Sequence, residues 1–166
     1  MNHFVDFGKR SIELPSGCKD LFDVLQLEKR PEARSFTSRV GQSLGDVGSN
    51  LNSLLARSTR SKNLVITWGS GSYIHLQNKE QVVAAIVVVH EGVLREQSVR
   101  AVFAAADLAL VSDETVAAGT IRVLRYSLPV SMSVIGRLIP NLLLRGFGLA
   151  LRKVKYELLH WEESDS

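Results

Sequence analysis

Cys18 sits between Gly17 and Lys19, just ahead of an apolar helical pattern. Backbone N–H groups at a helix start and a neighbouring cation would stabilise a thiolate there. A nucleophile also needs a base, and His3, His75, His90 and His160 are all remote from it in sequence. The competing reading is a small buried residue on the face carrying Leu21 and Phe22, and that reading is preferred. His90-Glu91 and Asp107 are the other chemistry-bearing residues. They would suit a hydrolase or a metal centre, yet no H-x-x-x-H, H-E-x-x-H or C-x-x-C spacing accompanies them. Asp107, between an alanine run and Leu108, reads better as a carboxylate satisfying a structural hydrogen bond. Gly69-Ser70-Gly71-Ser72 follows a β-rich run, as a phosphate loop would, but lacks the Gly-Lys-Ser/Thr ending and a following helix. A hairpin turn explains it better. No metal and no cofactor are expected. No motif assigns the chain to a family.

Charge points elsewhere. From Arg122 to Lys155 there are seven basic residues and no Asp or Glu. Residues 1–62 hold ten Lys/Arg and seven Asp/Glu, residues 63–116 three and six, residues 117–166 seven and four. Two shorter basic runs, Arg30/Arg34/Arg39 and Arg57/Arg60/Lys62, could touch phosphates. Aromatics are sparse around both, so nucleic acid is not an expected partner. The strongest interaction signal is apolar. Leu144, Phe147, Leu151, Val154, Leu158 and Trp161 recur at a 3-4-3-4-3 spacing, with Arg145, Arg152, Lys153 and Lys155 among them. Val40, Leu44, Val47, Leu51 and Leu54 form a second seam, beside Gly41, Gly45 and Gly48. Such stripes serve the core of one chain or a contact between chains.

The elements that would position these residues follow from periodicity. Phe4–Phe7 and Arg10–Leu14 flank Gly8-Lys9 as a hairpin. Cys18, Leu21, Phe22 and Leu25 trace a helix face. Asn63–Trp68 and Tyr73–Leu76 form a second hairpin, and the Val/Ile-rich run 82–89 reads as a further strand. Residues 95–111 predict a helix with Val99, Val102, Phe103, Ala106 and Leu110 on one face. Asp113 caps another helix ending before Pro129, and Ser131 or Ser133 caps a third, broken at Pro140. The expected fold is α+β: two hairpins of four to five antiparallel strands and about five helices, ending in a long amphipathic C-terminal helix over residues 144–161.

At 166 residues the chain is expected to form one domain over 1–166 with a polar tail at 162–166. A single cysteine excludes an intrachain disulfide, and the N-terminus lacks a signal-peptide pattern, so a cytoplasmic setting is expected. The most apolar window, Val130 to Leu151, contains Arg137, Pro140 and Arg145. Each central Arg costs about 2.5–3.5 kcal/mol on insertion, which argues against a membrane span. The preferred function is a non-enzymatic, self-associating interaction or scaffold protein whose basic, apolar C-terminal half is the contact surface. Its expected partners are a second copy or another protein. The alternatives are a small enzyme or ligand-binding protein with a cleft near Cys18, His75, His90 and Asp107, and a peripheral protein weakly attracted to anionic membrane surfaces.

Overall fold

The computed structural model describes residues 3–7, 10–14, 35–116 and 119–163. Strands β1 (His3–Phe7) and β2 (Arg10–Leu14) pair antiparallel as a two-stranded sheet, with Phe7 opposite Arg10. Their antiparallel pairing agrees with the first hairpin that the sequence predicts. The proposed helix face at Cys18–Leu25 lies outside the described residues.

The remaining strands build one seven-stranded sheet: β3 (Ser35–Gln42), β4 (Ser61–Thr67), β5 (Tyr73–Lys79), β6 (Val82–Val89), β7 (Leu110–Val116), β8 (Ile121–Leu128) and β9 (Tyr156–Glu163). Its order is β3-β9-β4-β5-β6-β8-β7, and every neighbouring pair is antiparallel. Among the described residues three α-helices, α1 (Leu44–Leu55), α2 (Val93–Ala105) and α3 (Met132–Asn141), pack on one face. There Val47, Leu51, Val99, Phe103, Ile135 and Ile139 meet Leu64, Ile74, Ala85, Val87, Leu124 and Leu158. The Phe103 and Tyr126 rings stack at 3.6 Å. Val65, Ile86, Val88, Val123, Leu159 and Trp161 alternate onto the opposite face and are buried as well. A sheet buried on both sides needs continuous apolar strands, which accounts for the unbroken Val/Ile run of β6.

Local chemistry sets the element ends. Ser43 begins α1 with a capping box: its hydroxyl accepts from Asp46 N–H at 3.3 Å, and Asp46 Oδ2 accepts from Ser43 N–H at 2.7 Å. Ser131 caps α3 by accepting from Val134 N–H. Pro140 cannot donate within α3, and a π-turn (Leu142–Gly146) follows, with Phe147 N–H reaching Leu142 O at 2.9 Å. Gly148, at φ +69°, then stops the helix, and Leu149 N–H bonds Leu143 O. Glu80 and Gln81 join β5 to β6 with φ of 52° and 64°, a turn that Asn and Gly would enter more cheaply.

This architecture overturns the expected two hairpins with about five helices and a C-terminal helix. Two segments changed type. Residues expected as a helix capped by Asp113 are β7 and β8, and the helix predicted over 95–111 ends at Ala105, so Leu110 belongs to β7. In β8 buried residues fall on both faces, which hides the two-residue alternation. The predicted helix 144–161 is instead a π-turn, a loop and β9. Leu158 and Trp161, three apart, would share a helix face. In a strand they point to opposite faces, and Leu158 pairs opposite Ile66 while Trp161 pairs opposite Asn63. Strand β9 lies between β3 and β4, so pairing on both edges outweighs its local helical spacing. Glu162 and Glu163, assigned to the polar tail, are its last residues.

Candidate functional site

On the helix-covered face, the margin formed by β3, β9 and β4 does not close. A cavity of about 520 Å³ lies between it and α1, with Arg39, Asn50, Ser53, Lys62, His160 and Glu162 in its wall. The register places these side chains together. Thr37 pairs with His160 and Arg39 with Leu158, so Arg39 is the diagonal neighbour of His160 on one side. Leu64 pairs with His160 and Lys62 with Glu162, so Lys62 is its diagonal neighbour on the other. Diagonal neighbours are about 7–8 Å apart. Helix α1 covers the site through its polar positions because Val47, Leu51 and Leu54 take its other side into the core.

The hydrogen-bond bookkeeping separates these groups. Asn50 Nδ2 donates to Asp46 O at 2.8 Å. Lys62 Nζ donates to Ser53 O at 2.8 Å and Ala56 O at 3.3 Å, closing the carbonyl end of α1 and leaving one donor over. Glu162 lies 3.8 Å from Arg60. Arg39 and His160 make no hydrogen bond or ion pair among the described residues. Burial, and after it the charge of Arg39, hold the His160 imidazole below its usual range, while Glu162 acts the other way. The cavity therefore presents an unengaged guanidinium and a neutral imidazole.

At the other margin the same residue types are fully engaged. Glu96 Oε2 meets Arg100 Nε at 2.8 Å and Glu96 Oε1 meets Arg122 Nε at 2.9 Å. Asp113 Oδ2 accepts from Arg100 at 2.7 Å and from Arg122 at 3.1 Å. The four side chains close a ring of alternating charge that ties α2 to β7 and β8. Arg122 also donates to Thr115 Oγ1. The Arg100 hydrogen bond holds the Asp113 carboxyl below its usual range.

The cleft expected near Cys18, His75, His90 and Asp107 is not assembled from the three described members. His75 lies within β5 on the face away from the helices, where its Nε2 is 2.9 Å from Asn63 Oδ1 and its ring is 5.4 Å from that of Trp161. His75 pairs with Ile86, four residues before His90, a separation of about 13 Å along the strand. Asp107 is exposed past the end of α2 at φ 58°. Cys18 lies outside the described residues. Gly69–Ser72 is the turn between β4 and β5. Among the described residues, no cluster of three His, Cys, Asp or Glu could hold a metal ion.

The apolar members of the C-terminal seam scatter. Phe147, Leu158 and Trp161 are buried, Leu151 and Val154 are half-buried, and Leu144 is 46% exposed. Arg145, Arg152, Lys153 and Lys155 are exposed. The second seam holds only from Leu44 onward and faces the core, since Val40 is an exposed residue of β3. Its glycines approach no other backbone among the described residues: Gly41 is in β3, and a Cβ at Gly48 would meet open space. Sequence reasoning did not join Arg39 to His160, because only the insertion of β9 beside β3 makes them neighbours. No protein-family model, curated protein or solved structure matches this chain. The described residues define an antiparallel α+β fold whose sheet carries three helices on one face and a polar cavity at one margin.

Proposed function

We propose that this chain is a non-enzymatic interaction protein that self-associates as a two-fold dimer through the outer face of α2. The carrying observation is that this face is exposed and uncharged. Val93 is 69% and Leu94 80% exposed, and Ser98, Ala101 and Ala105 continue from Leu94 at a 4-3-4 spacing. The charged residues of the helix are drawn off the face: Glu96 and Arg100 into the ring, Arg95 towards Gly146 O at 2.8 Å. A shallow groove of about 350 Å³ between α2 and α3, lined by Val102, Ala105, Ala106, Val134 and Leu138 together with the charged Arg137, adjoins the surface.

A second copy suits it as occupant. Small alanines let two helices approach closely, and an isologous contact repeats one uncharged face against itself. The N-cap of α2 is Gly92, which offers no side-chain cap, and Asp107 stands exposed just past the other end. An antiparallel α2 pair sets each Asp107 by the partner's positive helix terminus, a favourable charge match. Sedimentation equilibrium at micromolar concentration tests the reading. The dimer mass is expected for the native chain, and the monomer mass with unchanged circular dichroism for Ala101→Arg. A native monomer overturns it.

A second reading rests on a different observation. Arg137, Arg145, Arg152, Lys153 and Lys155 are exposed and form no ion pair among the described residues. Near an anionic leaflet each would contribute about 1 kcal/mol. The reading is weak, salt-sensitive attachment to an anionic membrane surface, since among the described residues no helix is long and apolar enough to cross one. Co-sedimentation with anionic but not neutral vesicles, lost at high salt, is its expected signature. The lone Cys18 fits a reducing, cytoplasmic setting for either reading.

A further inference from the structure

We infer that the cavity between α1 and the β3–β9–β4 margin binds a small, soluble phosphate monoester, held by Arg39, His160 and the third donor of Lys62. Three positions on three adjacent strands supply the donors, and all face the same side of the sheet. A volume of about 520 Å³ falls within the range of small-ligand pockets. Arg39 and His160 are diagonal neighbours, which puts them about 7–8 Å apart at the backbone. Charge-assisted hydrogen bonds of about 2.7–2.9 Å on either side of one phosphate span such a gap.

Among the described residues Arg39 and His160 have no hydrogen-bond partner, and the Asp46 carboxylate of α1 interacts with Arg39 through charge alone. Arg39 has five donors and none is used among the described residues, and His160 is half-buried with no hydrogen bond among them. Lys62 spends two donors on the last carbonyls of α1 and keeps one. The only acid in the wall, Glu162, is drawn to Arg60 at 3.8 Å, and α1 contributes Ser49, Asn50 and Ser53 there, with no carboxylate. Phosphate suits this geometry better than a carboxylate does, because its three terminal oxygens can meet donors from three directions. Free His160 is neutral because it is buried beside Arg39, and an arriving dianion favours its protonated form.

The test follows His160 itself. Its ring proton resonances are titrated with pH in the native protein, with and without glycerol 3-phosphate. A midpoint raised by the ligand is expected, with millimolar or tighter binding at neutral pH. Arg39→Ala should weaken binding at least tenfold. Arg145→Ala, which removes an exposed arginine that is not part of the cavity wall, should leave it unchanged. Equal weakening in both variants means general attraction to basic surface and overturns the inference, as does an unmoved His160 midpoint at ten millimolar ligand. Vesicles carrying phosphatidate present the same headgroup on a lipid. Arg39-dependent binding to them, without binding of glycerol 3-phosphate, overturns the soluble ligand. The readout needs no second copy, so a monomeric chain that binds phosphate separates this inference from the dimer proposal.

Discussion

The two margins of the sheet use the same residue types to opposite ends. Beside β7, Arg100 and Arg122 are locked between Glu96 and Asp113, with four contacts of 2.7–3.1 Å. Beside β3, Arg39 and His160 stand against a cavity with no such partners among the described residues. An arginine whose donors are filled by its own chain pins elements together. The more exposed Arg39, whose donors are unfilled among the described residues, contributes nothing to that task and is available to a ligand. The contrast lies in the acids: Glu96 and Asp113 answer Arg100 and Arg122 at the first margin, while Glu162 in the cavity wall lies beside Arg60, Glu157 accepts from Ser38, and Asp46 is held in its own capping box with Ser43.

Removing Glu96 should break the comparison most strongly. Its side chain is only 14% exposed and answers two guanidinium groups. Glu96→Ala is expected to cost about 2–3 kcal/mol, because hydrogen bonds to charged groups are each worth about 1.5–3 kcal/mol and the arginines partly recover water. Urea denaturation should show a lower midpoint at unchanged slope. An unaltered midpoint would mean that the ring is ornamental.

Lys62→Met comes next. It keeps the aliphatic stem but removes the donors closing the α1 carbonyl end. About 1 kcal/mol of destabilisation is expected, read as a lower thermal midpoint. Amide exchange should quicken in α1 and not in α2.

His160 gives a smaller, pH-dependent effect. Its folded-state affinity for protons is lowered by burial and by Arg39, with Glu162 opposing. As pH falls through about 6.5, the unfolded chain takes up the proton first, so stability should drop until the depressed folded value is passed. At higher pH the contribution is flat. His160→Gln should remove that portion of the slope, measured as urea midpoints between pH 7.5 and pH 5. An identical slope in the variant contradicts the assignment.

Arg39→Ala should do least to stability, within about 0.5 kcal/mol, since no partner is lost. Paired with the loss from Glu96→Ala, it sharpens the contrast between an engaged and an idle margin. A cost above 1 kcal/mol would show that Arg39 holds the fold together after all.

Much of the architecture was legible where the signal is local. The β1–β2 hairpin, the β4–β5 turn, the strand at 82–89, the core face of α2 through Val99, Val102 and Phe103, and the Ser131 cap all follow from nearby residues. Two of the failures share one cause. Ile121–Leu128 and Tyr156–Glu163 are interior strands, buried on both faces, so neither shows a clean alternation. Across the preceding loop and β9 the 3-4 spacing of Leu151, Val154, Leu158 and Trp161 imitated a helix, although Leu158 and Trp161 serve opposite faces of a sheet.

The sequence by itself determined the short-range features: the cap at Ser131, the break at Pro140, and the one-signed charge between Arg122 and Lys155. Each depends on residues within a turn or two, where steric and hydrogen-bonding preferences act without the rest of the chain. Only the tertiary structure decided that the last strand enters between β3 and β4. That choice exchanges a local helical preference for backbone pairing on both edges and burial on both faces. It also creates the marginal cavity, because Arg39, Lys62 and His160 become neighbours only through the β3–β9 and β4–β9 registers.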